Sequence, residues 1–290
     1  QDYTAEYCIF VTGSNAHLLS RELATYLTGR TISLHVYPFG FSEFCAIKGT
    51  DKNRESFLDY LRRGGMPESM HIDNDELLRD YILGLKDSIL FHDIVQRYSI
   101  RDASLLDRLC SFLTDSVGCL FSVKKIMHFL VSSGIKTNYE TISNYLRYFT
   151  EAFMFHETPR YDIKGKNILS GERKYYLNDL SFKYYLTSSY DFQVGRYLEN
   201  AVFLDLKRKG YTVYTGYGAG CEVDCVAEKD GEKIYCQVAY LLSDEKVVER
   251  EYGAFRKIRD HHPKYLISMD DVPMGSIEGV RHARAWDFIG

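Results

Sequence analysis

The stretch EVDCVAEKDGEKIYCQVAY, residues 222–240, constrains this chain more than any other. It reads as two strands joined by Asp230-Gly231, the dipeptide of a tight two-residue hairpin. The first strand carries Glu222 and Asp224, two residues apart and so on one face. The second puts Gln237 and Ala239 on one face.

The chain has 290 residues, of which 45% are apolar and 26% charged. That is ordinary globular composition, with length for more than one domain. The net charge of −4 argues against a surface built throughout for polyanions. No apolar run approaches the ~18 residues of a membrane span. No secretion signal or lipidation motif is visible, so a cytoplasmic location with no membrane partner is expected. The seven Cys include no CxxC pair. Cys221 and Cys225 share a strand face with Val223, where buried thiols or metal ligands are the alternatives. Such cysteine usage fits a reducing compartment.

YCIFVTGSN (7–15) is an apolar run that breaks into a glycine turn, as a buried parallel strand does. A parallel strand needs neighbours and crossovers. The expectation is therefore a fragment of a longer protein; antiparallel pairing with a downstream strand is the alternative. A helix follows, with Leu18, Leu19, Leu23 and Leu27 at helical spacing and Gly29 as its stop. Ile32, Leu34 and Val36 then alternate as a strand.

IFVTGSNAHLLSRELATYLTGR, followed by PFGFSEF and by GGMPE at 64–68, resembles a group of AAA+ ATPases. Members of that group carry a winged-helix segment and a C-terminal nuclease-like domain of unknown function. The resemblance covers essentially the whole chain and places residues 1–50 in the second half of the ATPase core. It implies that Ser14 or Asn15 of TGSN lies near a γ-phosphate, where a polar side chain can orient water. It implies that Arg30 stabilises phosphate charge; a cation at a helix C-terminus is the equal alternative. No GxxxxGK[ST] occurs, and GKN at 165–167 lacks its glycine spacing and hydroxyl. ATP and Mg are thus expected of the intact protein, not of this chain alone.

Residues 51–187 read as a helical and winged-helix region. Ile82, Leu85, Ile89 and Leu90 mark one helix, and Leu105, Leu106, Leu109, Phe112, Leu113 and Val117 another. Ser122 caps a third with Val123, Ile126, Phe129 and Leu130, and Asn138 caps a fourth over 138–152. Two strand-like runs follow, FMFHETPRY and KYYLND. Helix, helix, helix, hairpin is the order of a winged helix-turn-helix. The would-be recognition helix has one Arg, Arg147, against Glu140 and Glu151. The wing holds Arg160, Lys164, Lys166, Arg173 and Lys174 against Asp162 and Glu172. That net +3 fits phosphate contact, or a solvated loop, or a role between domains.

Residues 188–290 give the order α-β-β-β-α-β, with an amphipathic helix at 192–210, the opening hairpin, a helix at 243–262 capped by Ser243, and a core strand KYLISM. This order resembles the restriction-endonuclease-like fold, GRYLEN and EVD standing at its matching places. Active members bind Mg²⁺ through acids on the second and third strands, with a lysine two residues past the latter and a glutamate on the first helix. The resemblance then assigns Asp224 and Glu199 as metal ligands, with Gln237 and Ala239 in place of the second acid and the lysine. Gln237 offers one neutral oxygen, Ala239 nothing, and Glu222 can substitute for the missing carboxylate. Lys233 reaches inward only in an unusual register.

The expected fold class is therefore multidomain, mixed α/β and α: an ATPase remnant, a winged helix, and an endonuclease-like α/β domain. The functional classes are an ATPase-family protein with a non-cleaving nuclease-like domain that binds nucleic acid or a protein partner, a metal-dependent nuclease under ATPase control with a divalent ion at Asp224, and a scaffold. Ring-like self-assembly is implied by the resemblance alone.

Overall fold

The computed structural model of this protein describes residues 10–14, 32–187, 194–218 and 220–290. The expected leucine helix, Asn15 and Arg30 lie outside the described residues. Neither expected N-terminal strand forms within them. Residues 10–14 and 32–37 are irregular, and Ile32, Leu34 and Val36 are 78–94% exposed. Alternation supplies an apolar face, but a strand also needs hydrogen-bonding neighbours, and no described strand pairs with these residues.

From Pro38 the chain enters the core. Helix α1 (Phe41–Lys48) ends at left-handed Gly49, and α2 (Arg54–Arg63) begins at Asn53, whose side chain accepts from the Ser56 N–H. Residues 49–53 thus form a tight helix–helix connection. Gly64 and Gly65 then turn the chain. Gly64 has φ +72, and a Cβ there would stand 1.9 Å from Asp179 Oδ1. A Cβ on Gly65 would stand 2.1 Å from the Phe39 carbonyl oxygen. The Gly65 N–H donates to Asp179 at 2.6 Å, and the Phe39 N–H to the Gly65 carbonyl at 2.7 Å. The glycine pair of GGMPE is required by this packing.

Helix α3 (Asp75–Ser88) runs into a π-helical segment (Ile89–Gln96). Helices α4 (Ala103–Asp115), α5 (Val123–Ser132) and α6 (Tyr139–Glu151) follow, and Ser122 and Asn138 cap the last two as expected. Their apolar stripes are largely buried, with Phe112 and Val123 partly so and Phe129 half exposed. Strands β1 (Phe155–Asp162) and β2 (Asn167–Leu177) form an antiparallel hairpin. After α7 (Ser181–Leu186) come α8 (Val194–Arg208), β3 (Thr212–Gly218), β4 (Cys221–Lys229) and β5 (Glu232–Val238). The chain closes with α9 (Glu245–Gly253), β6 (Lys264–Ser268), β7 (Ser276–Ile277), β8 (Val280–Arg284) and α10 (Ala285–Phe288). Helix α9 is shorter than the pattern suggested, and Asp244 rather than Ser243 caps it.

The eight strands of the described residues join one mixed sheet in the order β2-β1-β3-β4-β5-β6-β8-β7. Arg160–Asp162 of β1 pair in parallel with Thr215–Tyr217 of β3, so the hairpin of the middle region extends the C-terminal sheet. The sheet therefore runs through the boundary expected at 187/188. Within it β4 carries a bulge. Tyr214 faces Val226 while Gly216 faces Val223, so β4 has one more residue than β3 between those pairs. A bulge re-aims the side chains beside it. Here Cys225 and Ala227 pack with α8 in the main core, whereas both Val223 and Val226 pack with α9 on the other side.

These glycine contacts make opposite expectations for two substitutions. Gly65→Ala should destabilise by about 1–3 kcal/mol, because the Phe39 backbone cannot yield cheaply. Gly84→Ala, in the interior of α3 with nothing within 4 Å of its new Cβ, should be neutral or stabilise by about 0.5–1 kcal/mol. Thermal unfolding of the two variants beside the parent chain checks both signs.

Candidate functional site

Under α8 the sheet carries a buried lysine surrounded by acids. Lys174 of β2 is 2% exposed. Its ammonium donates to Glu199 of α8 at 2.7 Å, lies 2.7 Å from Glu222, and donates to Asp224 at 3.4 Å. Tyr176, two residues on and so on the same face, donates its hydroxyl to Glu199 at 2.6 Å. Between Lys174 and Asp224 lie β1 and β3. The strand partner of Lys174 in β1 is Thr158, and Thr215 of β3 lies opposite the bulge. Both threonines are fully buried, and neither hydroxyl has a protein partner. Two small residues here leave room for a long side chain to cross two strands.

Three carboxylates thus converge on one cation. Burial works against the Lys174 ammonium, but Glu199, Tyr176, Asp224 and Glu222 outweigh it and hold its pKa well above the ordinary lysine value. Burial pushes Glu199 up to about 7 against the pull of Lys174, and the neighbouring charge of Asp224 adds to the rise. Glu222 has the more open side chain, 38% exposed.

The residues assigned from the sequence are only partly brought together. Glu199, Glu222 and Asp224 meet. Gln237 does not join their carboxylates. At the end of the β4–β5 ladder its amide oxygen accepts from the Asp224 N–H at 3.2 Å, while its amide nitrogen donates to Glu251 of α9 at 3.0 Å. Asp224 returns the bridge, its Oδ2 accepting from the Val238 N–H at 2.9 Å. Cys236 and Val238 pack with the α8 core and Tyr235 and Ala239 with the α9 side, so strand alternation puts Gln237 on the side away from Lys174. Ala239 is buried in that second cluster. Lys233 is elsewhere, 2.7 Å from Glu228 and donating to the Tyr161 hydroxyl at 3.0 Å.

The wing reading needs correction in the same place. Lys174 is inside the protein, not on a phosphate-facing surface. Arg173 pairs with Glu157, and Arg160 with Glu172 at 3.1 Å while lying over the Tyr217 ring at 4.3 Å. Lys125 also pairs with Glu172. Lys164 and Lys166 sit in the loop between β1 and β2 without an ion pair among the described residues. Of the expected nucleotide residues, Ser14 alone is described; its hydroxyl donates to Asp93 at 2.8 Å.

A divalent ion does not fit the cluster as it stands. Such ions take oxygens at about 2.0–2.6 Å. Here one oxygen of each carboxylate is turned to the ammonium at 2.7–3.4 Å, and the second Asp224 oxygen is held by the Val238 N–H. The ammonium would also repel a metal at that centre. Among the described residues no group of three or more His, Cys, Asp or Glu side chains is spaced to hold a metal. Sequence reasoning placed the three acids and missed their counter-ion. The available signal was a lysine set beside aromatic residues in the strand run KYYL.

The first 45 residues match a family model described as AAA domain, and residues 54–191 match one described as Domain of unknown function (DUF8612). An uncharacterized protein of Haemophilus influenzae is 35% identical over 277 residues, 94% of this chain and 68% of that protein. An uncharacterized protein of Methanocaldococcus jannaschii is 31% identical over 264 residues, 86% of this chain and 58% of that protein. No solved structure matches. No helix among the described residues is long and apolar enough to cross a membrane.

Two consequences of the cluster are measurable. Lys174→Met leaves three acids facing one another and should cost about 3–5 kcal/mol, partly recovered when Glu199→Gln is added. Glu199 is raised in the fold, so its contribution is full below its unfolded pKa of about 4.5 and is lost as pH rises through about 7. His156 of β1 is lowered to about 4, by burial first, so its contribution is full above about 6.5 and is lost as pH falls towards 4. The two oppose each other. Glu199→Gln should therefore unmask a rise in stability between pH 4 and 6.5, read from denaturant midpoints across that range.

Proposed function

We propose that this chain, which belongs to the same family as the Haemophilus influenzae protein, is the C-terminal portion of an AAA-family ATP-binding protein whose nuclease-like sheet binds rather than cleaves. The AAA-domain match at residues 1–45 supports the ATPase relationship. ATP and Mg belong in this reading to a P-loop half outside this chain, with Ser14, Asn15 and Arg30 as this chain's contributions to it.

The observation that carries the non-cleaving reading is the ammonium of Lys174 at the centre of Glu199, Glu222 and Asp224. An endonuclease-like site of this kind needs a metal between its acids and a lysine free to manage the attacking water. Here the lysine occupies the metal's place, Gln237 has left the group, and Ala239 offers no amine. Helices α4 to α6 and the β1–β2 hairpin follow the order of a winged helix. In our reading the module serves packing between segments more than duplex recognition. The three paired or buried wing cations support this, as does the single arginine on α6.

A metal-dependent nuclease is the second reading, favoured by the convergence of three acids from a helix and a strand. Incubating the chain with Mg²⁺ or Mn²⁺ and single- or double-stranded DNA or RNA separates the two. The expected result is no cleavage above that of Asp224→Ala. Metal-dependent cleavage lost in that variant would establish the nuclease. A fluorescent ATP analogue should bind a longer version that includes the preceding segment, and not this chain alone.

A further inference from the structure

On the side of the sheet away from Lys174, α9 and the β7–β8 turn enclose a groove of about 530 Å³. Its floor is apolar: Leu242, Val248 and Tyr252, the first and last buried. Met274 and Ile277, 42% and 38% exposed, form the facing wall. Four acids line the rim, Asp244, Glu245, Glu249 and Glu278, against one cation, Arg256. The difference of four and one is a local charge of −3. The neighbouring cation Arg250 is turned to Glu251 at 2.6 Å.

Tyr252 is only 3% exposed and its hydroxyl lies below the surface of the groove, so it gives the floor its ring and not a hydrogen bond. In addition, Arg256 already crosses the groove, 3.3 Å from Glu249 and 3.4 Å from Glu278. These are long, exposed pairs that solvent screens, and so are exchangeable. They show the geometry a guanidinium or ammonium adopts between the two walls.

We propose that this groove docks a segment of a partner protein bearing an Arg or Lys next to an aliphatic or aromatic side chain. The cation lies between Glu249 and Glu278, and the apolar side chain enters over Val248 and the Tyr252 ring. The local charge disfavours nucleic acid at this face. The inference goes beyond the reading of the carboxylate cluster and does not depend on it, since the two lie on opposite sides of the sheet.

A random-peptide phage library panned on the full chain tests it, with Glu249→Lys/Glu278→Lys as the counter-selection target. Both positions are exposed, and circular dichroism verifies that the double variant is folded. The expected result is enrichment of peptides pairing Arg or Lys with an apolar neighbour. The synthesised consensus should bind the parent chain at least tenfold more tightly than the double variant, and more weakly as salt rises. Absence of groove-dependent enrichment, acidic consensus sequences, or binding unchanged by the charge reversal would overturn the proposal. So would dimerisation of the parent chain that the double variant loses, which would make a second copy the occupant.

Discussion

The ion cluster around Lys174 is the constraint on which the sheet's organisation depends. It joins β2 at one edge, β4 four places into the sheet, and α8 above them. A buried ion pair adds little net stability compared with an apolar filling, but it is intolerant of a missing partner. A one-residue slip of β2 would turn Lys174 to the opposite face and strand the three acids. The cluster therefore selects register. It also explains why β1 and β2 belong to the C-terminal sheet, because only that arrangement brings the lysine to the acids.

The motifs at the N-terminal side have a comparable role in packing. The Gly64-Gly65 pair admits Asp179 and the Phe39 backbone to distances no side chain would allow. Asp179, two residues past the end of β2, accepts from the Gly65 N–H, the Ser181 N–H and the Ser181 hydroxyl. Arg208, the last residue of α8, donates to the Pro38 carbonyl at 3.0 Å, the Phe39 carbonyl at 3.3 Å and the Tyr60 hydroxyl at 3.2 Å. Residues that carry a family resemblance in sequence are here the residues that fasten the first described helices to the sheet.

Much of this architecture was legible in local pattern. The Asp230-Gly231 turn, the Ser122 and Asn138 caps, the stripes of α4 to α6 and the meeting of Glu199 with Asp224 all depend on neighbours a few residues away or on a compact motif. What was not legible depends on distant pairing. Lys174 stands in a charged run whose local reading is a solvated wing, and its burial follows from β1 lying beside β3. The displacement of Gln237 follows from a bulge in β4, which no spacing rule in β5 reveals. Asp244 replaced Ser243 as the cap because two adjacent residues could each serve. The alternation of Ile32, Leu34 and Val36 has the pattern of a strand yet forms none, because pattern contains no information about a partner.

Helix α8 holds Arg208 at its end and Glu199 nine residues earlier, about 13–14 Å along one rigid rod. One end grips the backbone of Pro38 and Phe39, where the segment matched to the AAA domain enters the fold. Glu199, five residues in from the start of the helix, closes the ion cluster. A rigid helix held at these two points carries displacement from one to the other. In mechanical terms the second half of α8 is a strut between the entering backbone at Pro38 and Phe39 and the charges around Lys174.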